Sequence, residues 1–77
     1  MITGSQVRAA KSMIKWSGET LANNAGIAIS TIRRIEAVDG VLPTASIKTL
    51  EAVKKALESA GVEFIGTPDH QPGVRLK

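Results

Sequence analysis

The chain has 77 residues, no cysteine, 43 % hydrophobic residues, and ten Lys and Arg against seven Asp and Glu, for a net charge of +3. That length sets one domain with a modest core. The missing cysteine excludes a disulfide scaffold and any thiolate metal site, and the apolar content is too high for a disordered chain. The mild positive excess favours an anionic partner without naming one. Trp16 and Phe64 are the only aromatic residues, so the core has to come from Ile, Leu, Val and Ala. The apolar runs are too short to span a bilayer. Met1-Ile2-Thr3-Gly4 lacks the basic segment and apolar run of a signal peptide, so a cytoplasmic location is expected.

Four helices and a β tail are predicted. The first helix covers residues 4–15, opened by a capping box in which Thr3 and Gln6 satisfy free amides at its start. Val7, Ala10 and Ile14 form its apolar stripe. Arg8 and Lys15 read as surface charges. A short second helix is capped by Ser17, with Glu19 in its first turn. Its Leu21, Ala22 and Ala25 point inward, and Gly26 terminates it in the left-handed conformation. Trp16 is expected to staple its start onto the core. The third helix runs over residues 28–37, buries Ile32 and Ile35, and ends at the Asp39-Gly40 turn.

Pro43 announces a fourth helix, capped by Thr44 and reaching Ala60 before Gly61 stops it. Its apolar face is Ile47, Leu50, Val53, Ala56 and Leu57. Lys48, Lys54 and Lys55 read as solubilising, and Glu51 and Lys55 make an i,i+4 pair. Residues 62–66 and 73–77 then alternate apolar and polar side chains around a loop at 67–72, which reads as a two-stranded ribbon. An isolated hairpin is marginal in water, so this one must pack on the helices or pair with another chain. The predicted organisation is a helical domain over residues 1–61, with the ribbon at 62–77 as its dimerisation element.

The stretch from Trp16 to Glu36 places two short helices around a Gly26 turn, with small Ala22 and Ala25 where the axes would cross. Such a pair can project the outer face of its second helix into a DNA major groove. Here the chain resembles the XRE (xenobiotic-response-element) helix-turn-helix family of small bacterial and prophage regulators, which includes lambda-type repressors and Cro-like proteins. Ser17, Leu21, Ala22, Gly26, Thr31, Ile32, Ile35, Glu36 and Pro43 match its pattern, and the resemblance covers residues 4–61. The tail is similar to a subgroup in which Gly-Val-Glu-Phe-Ile is followed, after a loop, by Gly-Val-Arg-Leu.

The resemblance implies a mainly α, lambda-repressor-like four-helix fold with a short C-terminal β ribbon. It further implies a sequence-specific transcriptional regulator, a repressor type, that binds a palindromic operator in double-stranded DNA as a homodimer. Base contacts fall on Ile29, Ser30, Thr31, Arg33 and Arg34. An arginine can read guanine with two bonds, and an isoleucine can meet a thymine methyl. Ser17 and Gly18 open the second helix toward a phosphate. Lys11 takes the place of a family arginine as the structural ion-pair partner of Glu36.

Two departures accompany the matches. Gly18 replaces a phosphate-clamping Gln, and Ala28 stands where a capping Ser or Thr is usual. Both favour an alternative reading in which the chain is an antitoxin or adaptor whose main role is to bind a protein partner. RNA binding lacks aromatic stacking platforms. His70, beside Asp69, has no convergent ligands or orienting partner for metal or proton chemistry. No nucleophile motif, phosphate loop or carboxylate pair is present, so neither enzymatic activity nor a cofactor or metal is expected.

Overall fold

Three of the four helices begin at a side chain that satisfies a first-turn amide. The computed structural model describes residues 1–77 as α1 (Gly4–Ile14), α2 (Gly18–Ala25), α3 (Ile29–Glu36), α4 (Ile47–Ser59), β1 (Val62–Thr67) and β2 (His70–Leu76). At α1 the expected capping box forms: Gln6 N donates to Thr3 Oγ1 at 3.1 Å, and Thr3 N donates to Gln6 Oε1 at 2.9 Å. Ser17 accepts from Thr20 N at α2, and Ser46 accepts from Thr49 N at α4, each at 3.1 Å. Ala28 precedes α3 in a cap-like backbone conformation but offers no side-chain bond. Gly26 closes α2 with φ 69°, the left-handed region where a Cβ is unfavourable. Lys15 closes α1 in the same region, with φ 57°.

Several expectations about the fourth helix and the ribbon are corrected. Thr44 does not cap α4, because Ala45 N bonds to Leu42 O at 3.2 Å and makes Leu42–Ala45 a turn. Pro43 suits the second position of such a turn, so the helix starts after Ser46. Ile47 is 60 % exposed rather than core. It is in phase with buried Leu50, Val53 and Leu57 but overhangs the core at the first turn, beside Met1 and Ile2. The Glu51–Lys55 ion pair does not form; the three pairs present are Arg8–Asp39, Lys11–Glu36 and Arg75–Glu63. The loop at 67–72 contracts to Pro68-Asp69, since Thr67 and His70 already pair.

The buried centre gathers Val7 and Ala10 of α1, Leu21 and Ala22 of α2, Ile32 and Ile35 of α3, and Leu50, Val53 and Leu57 of α4. Ile2 and Val62 close its ends. Trp16 and Ala25 pack partly buried against it, the place expected for both. Full burial of each Val, Leu or Ile side chain stabilises by about 1.5–3 kcal/mol before chain entropy is set against it.

The two strands pair antiparallel with Val62 opposite Leu76, Glu63 opposite Arg75, Phe64 opposite Val74 and Ile65 opposite Gly73. Residues opposite one another share a face. Val62, Phe64 and Val74 accordingly pack on the helical core, while Glu63 and Arg75 form an exposed ion pair. Gln6 fastens the ribbon to α1. Its Nε2 donates to Gly73 O at 2.9 Å and to Ile65 O at 3.3 Å, while its Oε1 remains in the capping box. One buried amide thus completes a helix start and docks a hairpin that would be marginal alone. No helix is long and apolar enough to cross a membrane.

Candidate nucleic-acid interface

The exposed face of α3 carries Ser30, Arg33, Arg34 and, just past the helix end, Ala37. These lie at i, i+3, i+4 and i+7, the spacing of one helical face. Ile32 and Ile35 occupy the opposite face and are fully buried. The same periodicity that roots the helix in the core therefore presents two guanidinium groups and a hydroxyl outward.

Neither Arg33 nor Arg34 has a carboxylate within ion-pair distance, whereas Arg8, Lys11 and Arg75 are all paired. Arg34 Nη2 donates to Thr31 Oγ1 at 3.3 Å, which draws that side chain back along the helix. The Arg33 side chain makes no hydrogen bond within the chain. The positive charge on this face is therefore free for an external anion.

Not every expected contact residue joins the exposed set. Ile29 is half-buried and packed against the core. A Cβ built on Gly18 would lie 3.2 Å from Ile29 Cδ1, so Ile29 fills the space beside the start of α2. Thr31 is half-buried and serves as the acceptor for Arg34. Ser30, Arg33 and Arg34 are the residues the structure brings together at the surface.

At the start of α2, Ser17 Oγ is engaged with Thr20 N and with Thr20 Oγ1. The amides of Gly18 and Glu19 have no intrahelical acceptor, as first-turn amides do not. Glu19 in this turn complements the helix dipole but opposes an incoming phosphate. The Lys11–Glu36 pair sits just below: Lys11 Nζ is 3.8 Å from a Gly18 Cβ position, and Glu36 Oε2 is 4.0 Å from it. Lys11 and Glu36 form the expected structural bridge at 2.8 Å and join α1 to α3.

Sequence reasoning missed Arg8. It reads as a surface charge, but it grips the C-terminal end of α3. Its Nη1 donates to Glu36 O and, at 3.3 Å, to Val38 O. Its Nη2 donates to Asp39 Oδ1 at 2.6 Å and to Ser5 Oγ at 3.1 Å. The signals available were the i,i+3 spacing of Ser5 and Arg8 and the carbonyls any helix leaves free at its end. Neither names a partner 28 residues away.

No protein-family model matches the chain, and no curated protein matches it in sequence.

Proposed function

We propose that the chain is a sequence-specific, double-stranded DNA-binding transcriptional regulator of the XRE, lambda-repressor and Cro-like type, with α2 and α3 as its helix-turn-helix. The observation that carries this reading is the face of α3: Ser30, Arg33 and Arg34 stand exposed, unpaired with any carboxylate, opposite a fully buried Ile32 and Ile35. In this reading α3 enters the major groove, Arg33 and Arg34 reach guanine edges or phosphates, and Ser30 reaches a base or phosphate at the leading end. The amides of Gly18 and Glu19 meet a phosphate. The protein works in the cytoplasm, without a cofactor and without catalysing a reaction.

One such module covers only a short half-site, so specificity requires a homodimer on a palindromic operator with half-sites about one helical turn apart. The ribbon at 62–77 is the proposed contact, because Ile65 and Leu76 remain 38 % and 55 % exposed on it. Light scattering of Ile65→Lys and Leu76→Lys variants tests that contact; a dimer unaffected by both rules it out.

The reading as a whole is tested by selecting binding sites from random duplex DNA, with an Arg33→Ala/Arg34→Ala double variant as control. The expected result is an enriched palindrome that the double variant no longer binds. Weak binding without an enriched sequence, steeply reduced by salt, would mean phosphate contact alone. The uncapped Ala28 and the bare Gly18 would then favour the antitoxin or adaptor reading, with copurification of a protein partner as its signature.

A further inference from the structure

The C-terminal end of α3 is held by α1, through the Lys11–Glu36 bridge and through Arg8. Arg8 bonds the carbonyls of Glu36 and Val38, the carboxylate of Asp39 and the hydroxyl of Ser5. Beside it, Gly4 N donates to Gly40 O at 2.9 Å and Ser5 N donates to Asp39 O at 3.3 Å. A cation among helix C-terminal carbonyls also complements the helix dipole. The opposite end of α3 begins at Ala28, with no side-chain cap. The helix is tied by polar bonds at its end, whereas its start is held by the packing of Ile29 without a cap.

We infer that Arg8 is a positioning residue, which sets the tilt of α3 and thereby the placement of Ser30 and Arg33 on DNA without touching DNA itself. The inference rests on the DNA-reading proposal above. Ile29, Ile32 and Ile35 fix which way α3 is rotated about its axis, but apolar packing is non-directional and sets tilt less sharply than the directed bonds of Arg8. Ser30 lies six residues before Glu36, about 9 Å along the axis at ~1.5 Å per residue. A tilt of roughly 5° about Glu36 would then move Ser30 by about 0.8 Å. A hydrogen bond to a base edge tolerates only a few tenths of an ångström.

Asp39 makes this role separable from plain charge. Its side chain is 91 % exposed and its one ion-pair partner is Arg8. Removing a carboxylate near DNA should tighten binding to any duplex if charge alone matters. Removing it should loosen binding to the selected site if it matters by holding Arg8. Arg8→Lys adds a second separation, because it keeps the charge but cannot span four acceptors with a planar fork.

The experiment compares wild type, Arg8→Met, Arg8→Lys and Asp39→Ser on the duplex obtained by site selection and on a random duplex, over a range of salt and well below each melting temperature. Hydrogen exchange at the Gly4 and Ser5 amides is followed in parallel, without DNA. The expected result is an affinity for the selected site lower by about tenfold in all three variants, comparable to losing one base contact. Random-duplex binding is expected to stay within about twofold or tighten for Asp39→Ser, with unchanged salt slopes and faster exchange at both amides.

A salt slope reduced by about one in Arg8→Met, with Arg8→Lys normal and Asp39→Ser tighter, would make Arg8 a phosphate contact and overturn the inference. Faster exchange with unaltered selected-site affinity would reduce Arg8 to a structural cap and overturn it as well. A wild type that selects no sequence would defeat the regulator reading first, and this inference with it.

Discussion

Lys11 Nζ stands 2.8 Å from Glu36 Oε1, with side-chain exposures of only 18 and 15 %. The pair bridges α1 and the last residue of α3 at the start of α2, so three helices meet at one ion pair. Removing one member strands the other in a poorly hydrated site, whereas replacing both with apolar groups removes the desolvation cost as well. Lys11→Met is therefore expected to destabilise by about 1–3 kcal/mol, below the range for fully buried pairs because water still reaches this one. Lys11→Met/Glu36→Leu should recover part of that loss. Urea denaturation of the two singles and the double closes the cycle; strictly additive losses would mean the residues do not interact.

Gly4 occupies a position that admits no side chain. A Cβ there would overlap the carbonyl oxygens of Val38 and Ile35, and both belong to backbone that cannot swing aside. Gly4→Ala is expected to cost about 2–4 kcal/mol by forcing α1 and α3 apart. Gly40 makes the contrast, because a Cβ there meets nothing within 4 Å. Gly40→Ala should be neutral, or stabilising by up to about 1 kcal/mol through the unfolded chain. Equal urea midpoints for the two variants would refute the close-approach argument.

The residues that read correctly from sequence are those governed by local rules. Thr3, Gln6, Ser17 and Gly26 each answer to a neighbour within five positions, and the apolar spacing of Leu50, Val53 and Leu57 needs only helical phase. Lys11 and Glu36 came from resemblance rather than from spacing. Ile47 shows where phase stops being sufficient: periodicity gives a direction, but burial also needs an element opposite, and at the first turn of α4 little lies opposite. The helix boundary there moved because Pro43 suits the second position of a turn as well as the start of a helix. The links of Arg8 to Glu36 and of Gln6 to Gly73 join residues 28 and 67 positions apart. Only the packed chain defines them. On α3, helical spacing anticipated the exposed placement of Ser30, Arg33 and Arg34 but not the half-burial of Ile29. Packing beside Gly18 turns that side chain partly inward.

Ala28 already holds a cap conformation, φ −61° and ψ 141°, and lacks only the oxygen. A serine there could accept from an amide in the first turn of α3 at no backbone cost. Ala28→Ser is expected to stabilise the fold by about 1 kcal/mol, raising the urea midpoint at constant m. Ala28→Val, which supplies no acceptor, should not reproduce the gain. If α3 reads DNA, the same change should also tighten the selected-site complex by ordering the uncapped first turn of the helix. A stability gain without tighter binding would place the limiting disorder elsewhere.

The ribbon's exposed face should make a small part of the stability acid-sensitive. Arg75 Nε donates to Glu63 Oε1 at 2.6 Å, and this hydrogen bond holds the Glu63 carboxyl below its ordinary value, with the charges of Arg75 and Lys77 adding to the effect. A folded-state value below the unfolded one contributes stability that is present above the unfolded carboxylate pKa, about 4.3. It fades as pH falls through the lower folded value, because the proton then binds both states equally. The stability difference between wild type and Glu63→Gln should thus be positive above about pH 5 and shrink steadily in acid. It should be modest and weakened by salt, since Arg75 is 64 % and Glu63 37 % exposed. Melting temperatures of both proteins between pH 2 and 6, at low and high salt, provide the check. A difference that stays constant across that range would mean that Glu63 acts through packing rather than through its charge.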